Sequence, residues 1–288
     1  MDDHQQKSRT PDESIIKRVN LRVRDLPRAI DFYQDVVGLR VLESSSQQAI
    51  LGVPESPDEV LLGLVESPDA PRRPRASAGL FHIAFRVPDQ NALADALRRI
   101  TDHHRLTGAS DHKISHALYL NDPEGNGLEI YCDNPRDQWP IDAQGRIQLA
   151  TERLDLQALL AHAPTETPER FPAGTDVGHI HLEGLDIGDA HRFYTELLGL
   201  NVMAEAPSVL FTAQGDYHHH VGINTWNRRA TPHDNQATGL ISIEANLAST
   251  DADDVLARSH RLGFEATHKG EALAIRDANN IEWICQAG

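Results

Sequence analysis

One pattern occurs four times along this 288-residue chain, and it limits the possible folds more than any other feature. Residues 18–25 read Arg-Val-Asn-Leu-Arg-Val-Arg-Asp, followed by Ala-Ile-Asp-Phe-Tyr at 29–33 and Val-Gly-Leu at 37–39. Residues 179–186 read His-Ile-His-Leu-Glu-Gly-Leu-Asp, followed by Ala-His-Arg-Phe-Tyr at 190–194 and Leu-Gly-Leu at 198–200. Two more stretches share the opening: Gly-Leu-Phe-His-Ile-Ala-Phe-Arg-Val-Pro-Asp at 79–89 and Gly-Leu-Ile-Ser-Ile-Glu-Ala-Asn-Leu at 239–247. The aligned positions are Arg18, His82, His179 and Ser242, at intervals of 64, 97 and 63 residues. Two nearly equal intervals around a longer one describe two halves, each a tandem pair.

Every copy opens with alternating apolar residues, the pattern of a strand. Asp25, Asp89 and Asp186 then precede helical patterns, at the N-cap or just before it. In copy two the helix carries Leu93, Ala96, Leu97 and Ile100 on one face. Three short strands follow, in copy two near 110–115, 117–121 and 127–132, with an Asp-Pro-Glu-Gly-Asn turn at 122–126. Copy four repeats that turn as Asp-Ala-Asn-Asn at 277–280. Each copy therefore reads βαβββ, an α+β unit whose exposed sheet face must pair with another. The expected division is a polar tail at 1–13, an N-terminal domain at 14–134 (copies one and two), a connector at 135–175 and a C-terminal domain at 176–288 (copies three and four). The connector is rich in Pro, Thr and charge and holds one helical pattern at 154–160.

The formal charge is −16, and lysine is confined to Lys7, Lys17, Lys113 and Lys269. Phosphate contacts need clustered cations, so a nucleic-acid partner is not expected. Such an acidic surface suits a high-salt interior, where self-repulsion is screened. The longest apolar runs, such as 60–65, are too short to span a bilayer, and the first 13 residues do not read as a signal peptide. Cys132 and Cys285 make no disulfide framework and read as core residues. A cytoplasmic protein with no membrane partner is the expectation, with a homo-oligomer possible.

The densest motif lies in copy two. His112, Tyr119, Asp122, Pro123, Gly125 and Glu129 fall in one register. The segment resembles the signature of extradiol ring-cleavage dioxygenases of the vicinal oxygen chelate superfamily: a His, five to seven residues, an apolar residue and Tyr, an Asp-Pro turn with Gly, then Glu. Ser110, two before the His, departs from it. The repeat resembles the same superfamily over nearly the whole chain. The stretch Asp-Tyr-His-His-His-Val-Gly-Ile-Asn-Thr-Trp at 216–226 resembles two-domain catechol 2,3-dioxygenase-like proteins. The resemblance implies four modules paired into two half-barrel-type domains. It also implies Fe(II), with Mn(II) as an alternative, and a small aromatic diol cleaved with O2. Two His and one carboxylate on one face of a metal leave positions open for such a reaction.

By resemblance the ligand positions are His82, Glu129 and one more opening-strand histidine. Copy one offers Arg18 there and copy four Ser242, so neither tandem pair is complete. Arginine keeps its proton at neutral pH and cannot ligate. Copies two and three together are complete: His82 and Glu129 from one, His179 from the other. The expectation is one site between copies two and three, within a chain or across a dimer. The resembling enzymes place a histidine on the closing strand of the copy that gives one ligand, and His219 fits. Acid–base work then falls to His219, His112 and Tyr119. In copy four Tyr119 aligns with Ala274, and Glu282 with Glu129, where it reads as a relic or a surface residue.

A single strand histidine is usually structural, so the case rests on joint register. His103, His104, His181 and His191 read as surface or packing residues, and the Phe-Tyr pairs at 32–33 and 193–194 as core. Two other functions compete. A glyoxalase-type isomerase or thiol transferase of this fold would need a second carboxylate ligand from the other copy's closing strand. A drug-sequestering protein would need no metal triad.

Overall fold

The computed structural model describes residues 14–53, 60–143, 147–148, 150–163, 170–247 and 252–287. The expected tail at 1–13, and parts of the connector, lie outside the described residues. Module one comprises β1 (Ile16–Val23), α1 (Leu26–Phe32), β2 (Arg40–Ser44), β3 (Gln48–Gly52) and β4 (Val60–Glu66). Module two comprises β5 (Gly79–Arg86), α2 (Gln90–His103), β6 (Gly108–Asp111), β7 (Ser115–Asn121) and β8 (Gly127–Asp133). The connector adds β9 (Glu152–Arg153) and α3 (Leu156–Leu160). Module three comprises β10 (Asp176–Glu183), α4 (Ile187–His191), β11 (Asn201–Ala206), β12 (Val209–Ala213) and β13 (Val221–Asn224). Module four comprises β14 (Gly239–Leu247), α5 (Ala252–Leu262), β15 (Ala266–Lys269), β16 (Ala272–Arg276) and β17 (Glu282–Ala287). The architecture is α+β, with four βαβββ modules.

Local chemistry explains the elements. Asp25, Asp89 and Asp186 are N-caps whose carboxylates accept from Arg28, Ala92 and Asp189 backbone N–H groups. Leu93, Ala96, Leu97 and Ile100 bury one face of α2. After α1 the chain runs through a π-helical turn, Tyr33–Val37, that ends on Gly38 at φ +104°. A Cβ on Gly38 would stand 2.6 Å from Arg99 Nη2, whose guanidinium donates to the Val36 and Val37 carbonyls. Only glycine admits both that conformation and that approach. One boundary differs from the sequence expectation. The predicted strand at 110–115 is broken, because Lys113 takes φ +65° while its N–H donates to the Asp111 carboxylate at 2.7 Å.

In each module the opening strand lies parallel to the closing strand, as β5 does to β8 and β10 to β13. Modules then join through antiparallel opening strands, and they do so across the halves. One sheet runs β11-β12-β13-β10-β5-β8-β7-β6-β9, uniting modules three and two. The other runs β15-β16-β17-β14-β1-β4-β3-β2, uniting modules four and one. The division at 14–134 and 176–288 therefore does not follow the sheets. Tandem modules meet instead through helices and turns. Tyr33 donates to Asp122 Oδ2 at 2.9 Å, and Tyr194 to Asp277 Oδ2 at 3.1 Å, with all four residues buried. One continuous apolar core runs through all four modules.

Candidate metal centre

The period-two alternation of a strand sorts side chains to two faces. On β8, Leu128, Ile130 and Cys132 enter the core, which leaves Glu129 and Tyr131 on the other face. On β10, Val177, Ile180 and Leu182 enter the core, leaving His179 and His181 opposite. Register then aligns one row across four strands: His179 pairs with Ala84, Ala84 with Glu129, and Glu129 with Tyr119. Ala84 is small and fully buried, so the longer His179 and Glu129 side chains converge above it. His82 approaches from two residues earlier on β5.

The result is a buried cluster of His82, Glu129 and His179 within one chain, with ligand atoms all within 4.8 Å of one another. His82 Nε2 lies 3.0 Å and His179 Nε2 3.4 Å from Glu129 Oε2. Donors at right angles around one ion, each roughly 2.1 Å from it, stand about 3 Å apart. His82 Nε2 is buried yet makes no hydrogen bond, an orphan that a metal would satisfy. Burial would raise the Glu129 carboxyl, but His179 and His82 beside it hold it well below the usual carboxylate range. Burial pushes His179 down to about 4 against the pull of Glu129. An ionised carboxylate and a neutral imidazole are the forms that bind metals. The donor set fits a divalent transition metal.

A cavity of about 620 Å3 opens over the cluster, and His112, Tyr119 and His219 line it. The Ala150 carbonyl accepts from His112 Nδ1 at 2.8 Å, so the neutral ring keeps its lone pair on Nε2. Tyr119 then donates its hydroxyl to that nitrogen at 2.9 Å. Burial, and then the nearby Glu129 charge, hold the Tyr119 hydroxyl above its ordinary pKa. The connector, expected only as a link, thus supplies the carbonyl that orients His112, and its β9 covers the β6 edge.

Of the three histidines at 218–220, His219 faces the cavity. His218 instead bonds Asp133 Oδ1 at 3.0 Å, and the Gln214 N–H donates to His220 Nδ1 at 3.1 Å. His219 stands before β13, which begins at Val221, and not on the closing strand as expected. Its ring lies 4.2 Å from that of His179. Burial and then His179 push the His219 imidazole well below its usual pKa.

Two corrections follow from register. His181, read as a surface or packing residue, is buried in the cavity wall directly opposite His82. Its signal was present in the sequence, two residues after His179 on the same strand face. In the other sheet the row equivalent to His179–Ala84–Glu129–Tyr119 is Arg18–Glu244–Ile284–Ala274. Glu282 pairs with Ser242, the place of Gly127 in module two, so the counterpart of Glu129 is Ile284. An Arg18–Glu244 ion pair at 2.5 Å stands where the first sheet gathers its ligands.

The place that a second carboxylate ligand would take, on β13 opposite the residue two after His179, belongs to Gly222. A Cβ there would press on Phe211 at 3.1 Å and on His181 at 3.2 Å. Among the described residues, three side chains able to ligate a metal converge and no fourth does.

Fold and site together define a class: paired βαβββ modules presenting a two-histidine, one-carboxylate centre. The chain belongs to the Glyoxalase/Bleomycin resistance protein/Dioxygenase superfamily, whose sequence model matches residues 15–130. The catechol-2,3-dioxygenase of Bacillus subtilis (strain 168) is 36% identical over 279 residues, covering 92% of this chain and 94% of that one. Biphenyl-2,3-diol 1,2-dioxygenase 3 of Rhodococcus globerulus is 30% identical over 115 residues, 40% of this chain and 60% of that one. The crystal structure of glyoxalase I from Zea mays superposes with a TM-score of 0.58 at 15% identity, over 95% of this chain and 92% of that one, and so shares the fold.

Proposed function

We propose that the protein is an Fe(II)-dependent extradiol dioxygenase that opens a catechol-like ring with O2. The observation that carries this reading is the open three-ligand set. Gly222 stands where an isomerase or thiol transferase of this fold would place its further carboxylate, and His219 reaches the cavity instead. The relatedness to a catechol-2,3-dioxygenase over nearly the full chain supports it. A sequestering role would leave the buried triad without a use. Mn(II) suits the same donors.

Bound iron would supply Lewis acidity and a meeting point for diol and dioxygen. The protein's own groups do the rest. His219 takes the proton of a diol hydroxyl as the substrate settles over His82, Glu129 and His179. Tyr119, whose proton goes to His112, offers its oxygen to accept from the second diol hydroxyl. The apolar cavity excludes water from the opening ring.

The test is anaerobic loading with Fe(II), then catechol and oxygen, following oxygen uptake and a yellow ring-opened product. His82→Ala and His179→Ala are each expected to abolish metal binding in equilibrium dialysis. His219→Ala is expected to retain metal while kcat falls by roughly 100-fold or more. Stoichiometric iron with no turnover of any catechol would overturn the proposal, as would metal binding that survives both ligand substitutions.

A further inference from the structure

The cavity exceeds what a bare diol needs. A benzene-sized ligand fills a cavity of roughly 150 Å3, whereas this one measures about 620 Å3. Its outer end is aromatic. Phe81 is 38% and Trp226 56% exposed, two of the five large apolar side chains exposed among the described residues, and both line the cavity. Their rings meet edge to face at 5.5 Å, and each also meets His181, at 5.0 and 5.9 Å.

This rim is held in place. Asn224 Nδ2 donates to His181 Nε2 at 3.1 Å, and Asn224 Oδ1 accepts from the Trp226 backbone N–H at 3.2 Å. One buried side chain therefore ties the His181 ring and the Trp226 backbone together. Uncovered aromatic surface of this kind, continuous with a pocket, marks a place where apolar matter binds.

Charge narrows the choice further. No lysine or arginine is among the described residues lining the cavity, and its one carboxylate, Glu129, faces the metal position. An anionic substituent at this rim would find no lysine or arginine to pair with. The formal charge of −16 also repels anions at a distance.

We propose that the preferred diol carries an uncharged apolar substituent, about one ring in size, seated against the paired rings of Phe81 and Trp226. The proposal rests on the dioxygenase reading and names the substrate class of the same site. Phe81 and Trp226 act as specificity-determining residues.

The test compares catechol, phenylcatechol and dihydroxybenzoate with the Fe(II)-loaded protein. The expected kcat/KM for phenylcatechol exceeds that for catechol by about ten-fold, and dihydroxybenzoate falls about ten-fold below catechol. Trp226→Ala is expected to shrink the phenylcatechol-to-catechol ratio about ten-fold, mainly through KM. A preference for dihydroxybenzoate, or a ratio unmoved by Trp226→Ala, would overturn the proposal. A binding arm separates the two readings. Under anaerobic conditions each diol is titrated while tryptophan emission is followed, with Trp226→Phe as the control. Quenching by phenylcatechol at a Kd about ten-fold below that of catechol, without turnover of any diol, would sink the dioxygenase reading and leave this one standing. Turnover of all diols without such a preference would do the reverse.

Discussion

At the residue scale, the cavity base is set by a group that never reaches the cavity. Asp133 is held below its usual carboxylate range: burial would raise it, but His218, Arg86 and Tyr217 more than compensate. An ionised carboxylate only accepts, so a neutral His218 donates to it through Nε2 and keeps its lone pair on Nδ1. His219 Nδ1 must then donate across the 2.8 Å contact, which leaves the His219 lone pair on Nε2. Asp133 thereby selects the tautomer in which His219 can accept a proton. The same carboxylate stabilises the fold with a definite pH dependence. Its folded pKa lies below the unfolded value of about 3.9, so its contribution is present above that value and is lost as pH falls through the folded pKa. Asp133→Asn is expected to cost about 1–3 kcal/mol at pH 7. That difference should shrink toward zero between pH 4 and more acidic conditions. Urea unfolding of both proteins across this range checks it, and a cost independent of pH would assign the effect to shape instead of charge.

At the element scale, the repeated Phe-Tyr motif has a use beyond filling the core. Tyr33 and Tyr194 each reach from the π-helical turn of one module, Tyr33–Val37 or Arg192–Leu197, to the closing-turn Asp of its tandem partner, Asp122 or Asp277. Each Asp also accepts from backbone N–H groups of its own turn. Tyr33→Phe and Tyr194→Phe should therefore each cost about 1 kcal/mol and leave both turns formed. Chemical denaturation checks the cost, and a loss above about 3 kcal/mol would mean that the turn itself had collapsed. Strand alternation, the Asp caps and the apolar face of α2 were all legible in the sequence, because each depends on local periodicity. Register was not. Matching Glu282 to Glu129 by residue type overrode the Asp turns, which are equally long in both modules and put Glu282 at the place of Gly127, two residues before the ligand position on the same strand face. His181 escaped notice for a related reason: its importance comes from the strand across from it, which local sequence does not name.

At the scale of the whole molecule, each sheet takes one module from each half, and the ligand count explains why that pairing could be inferred. Any two opening strands could pair antiparallel by backbone chemistry alone, yet only modules two and three hold His82, Glu129 and His179 between them. The other sheet closes the same geometry with Arg18 against Glu244, a charge pair internal to the protein. Such pairs leave the acidic excess unbalanced, since 43 Asp and Glu face 27 Lys and Arg. Folding gathers that excess onto a compact surface, and the resulting repulsion favours the unfolded chain. Salt shortens its range, from about 30 Å at 0.01 M to about 3 Å at 1 M. Thermal stability should therefore climb by a few degrees as sodium chloride rises from low millimolar to about 0.5 M, and most of the gain should come early, where the screening length changes fastest. Sodium sulfate supplies the control: at matched ionic strength it should give the same early rise, then a further one from its exclusion from the protein surface. A melting temperature flat in chloride and rising only in sulfate would show that burial, and not relief of charge repulsion, responds to salt in this chain.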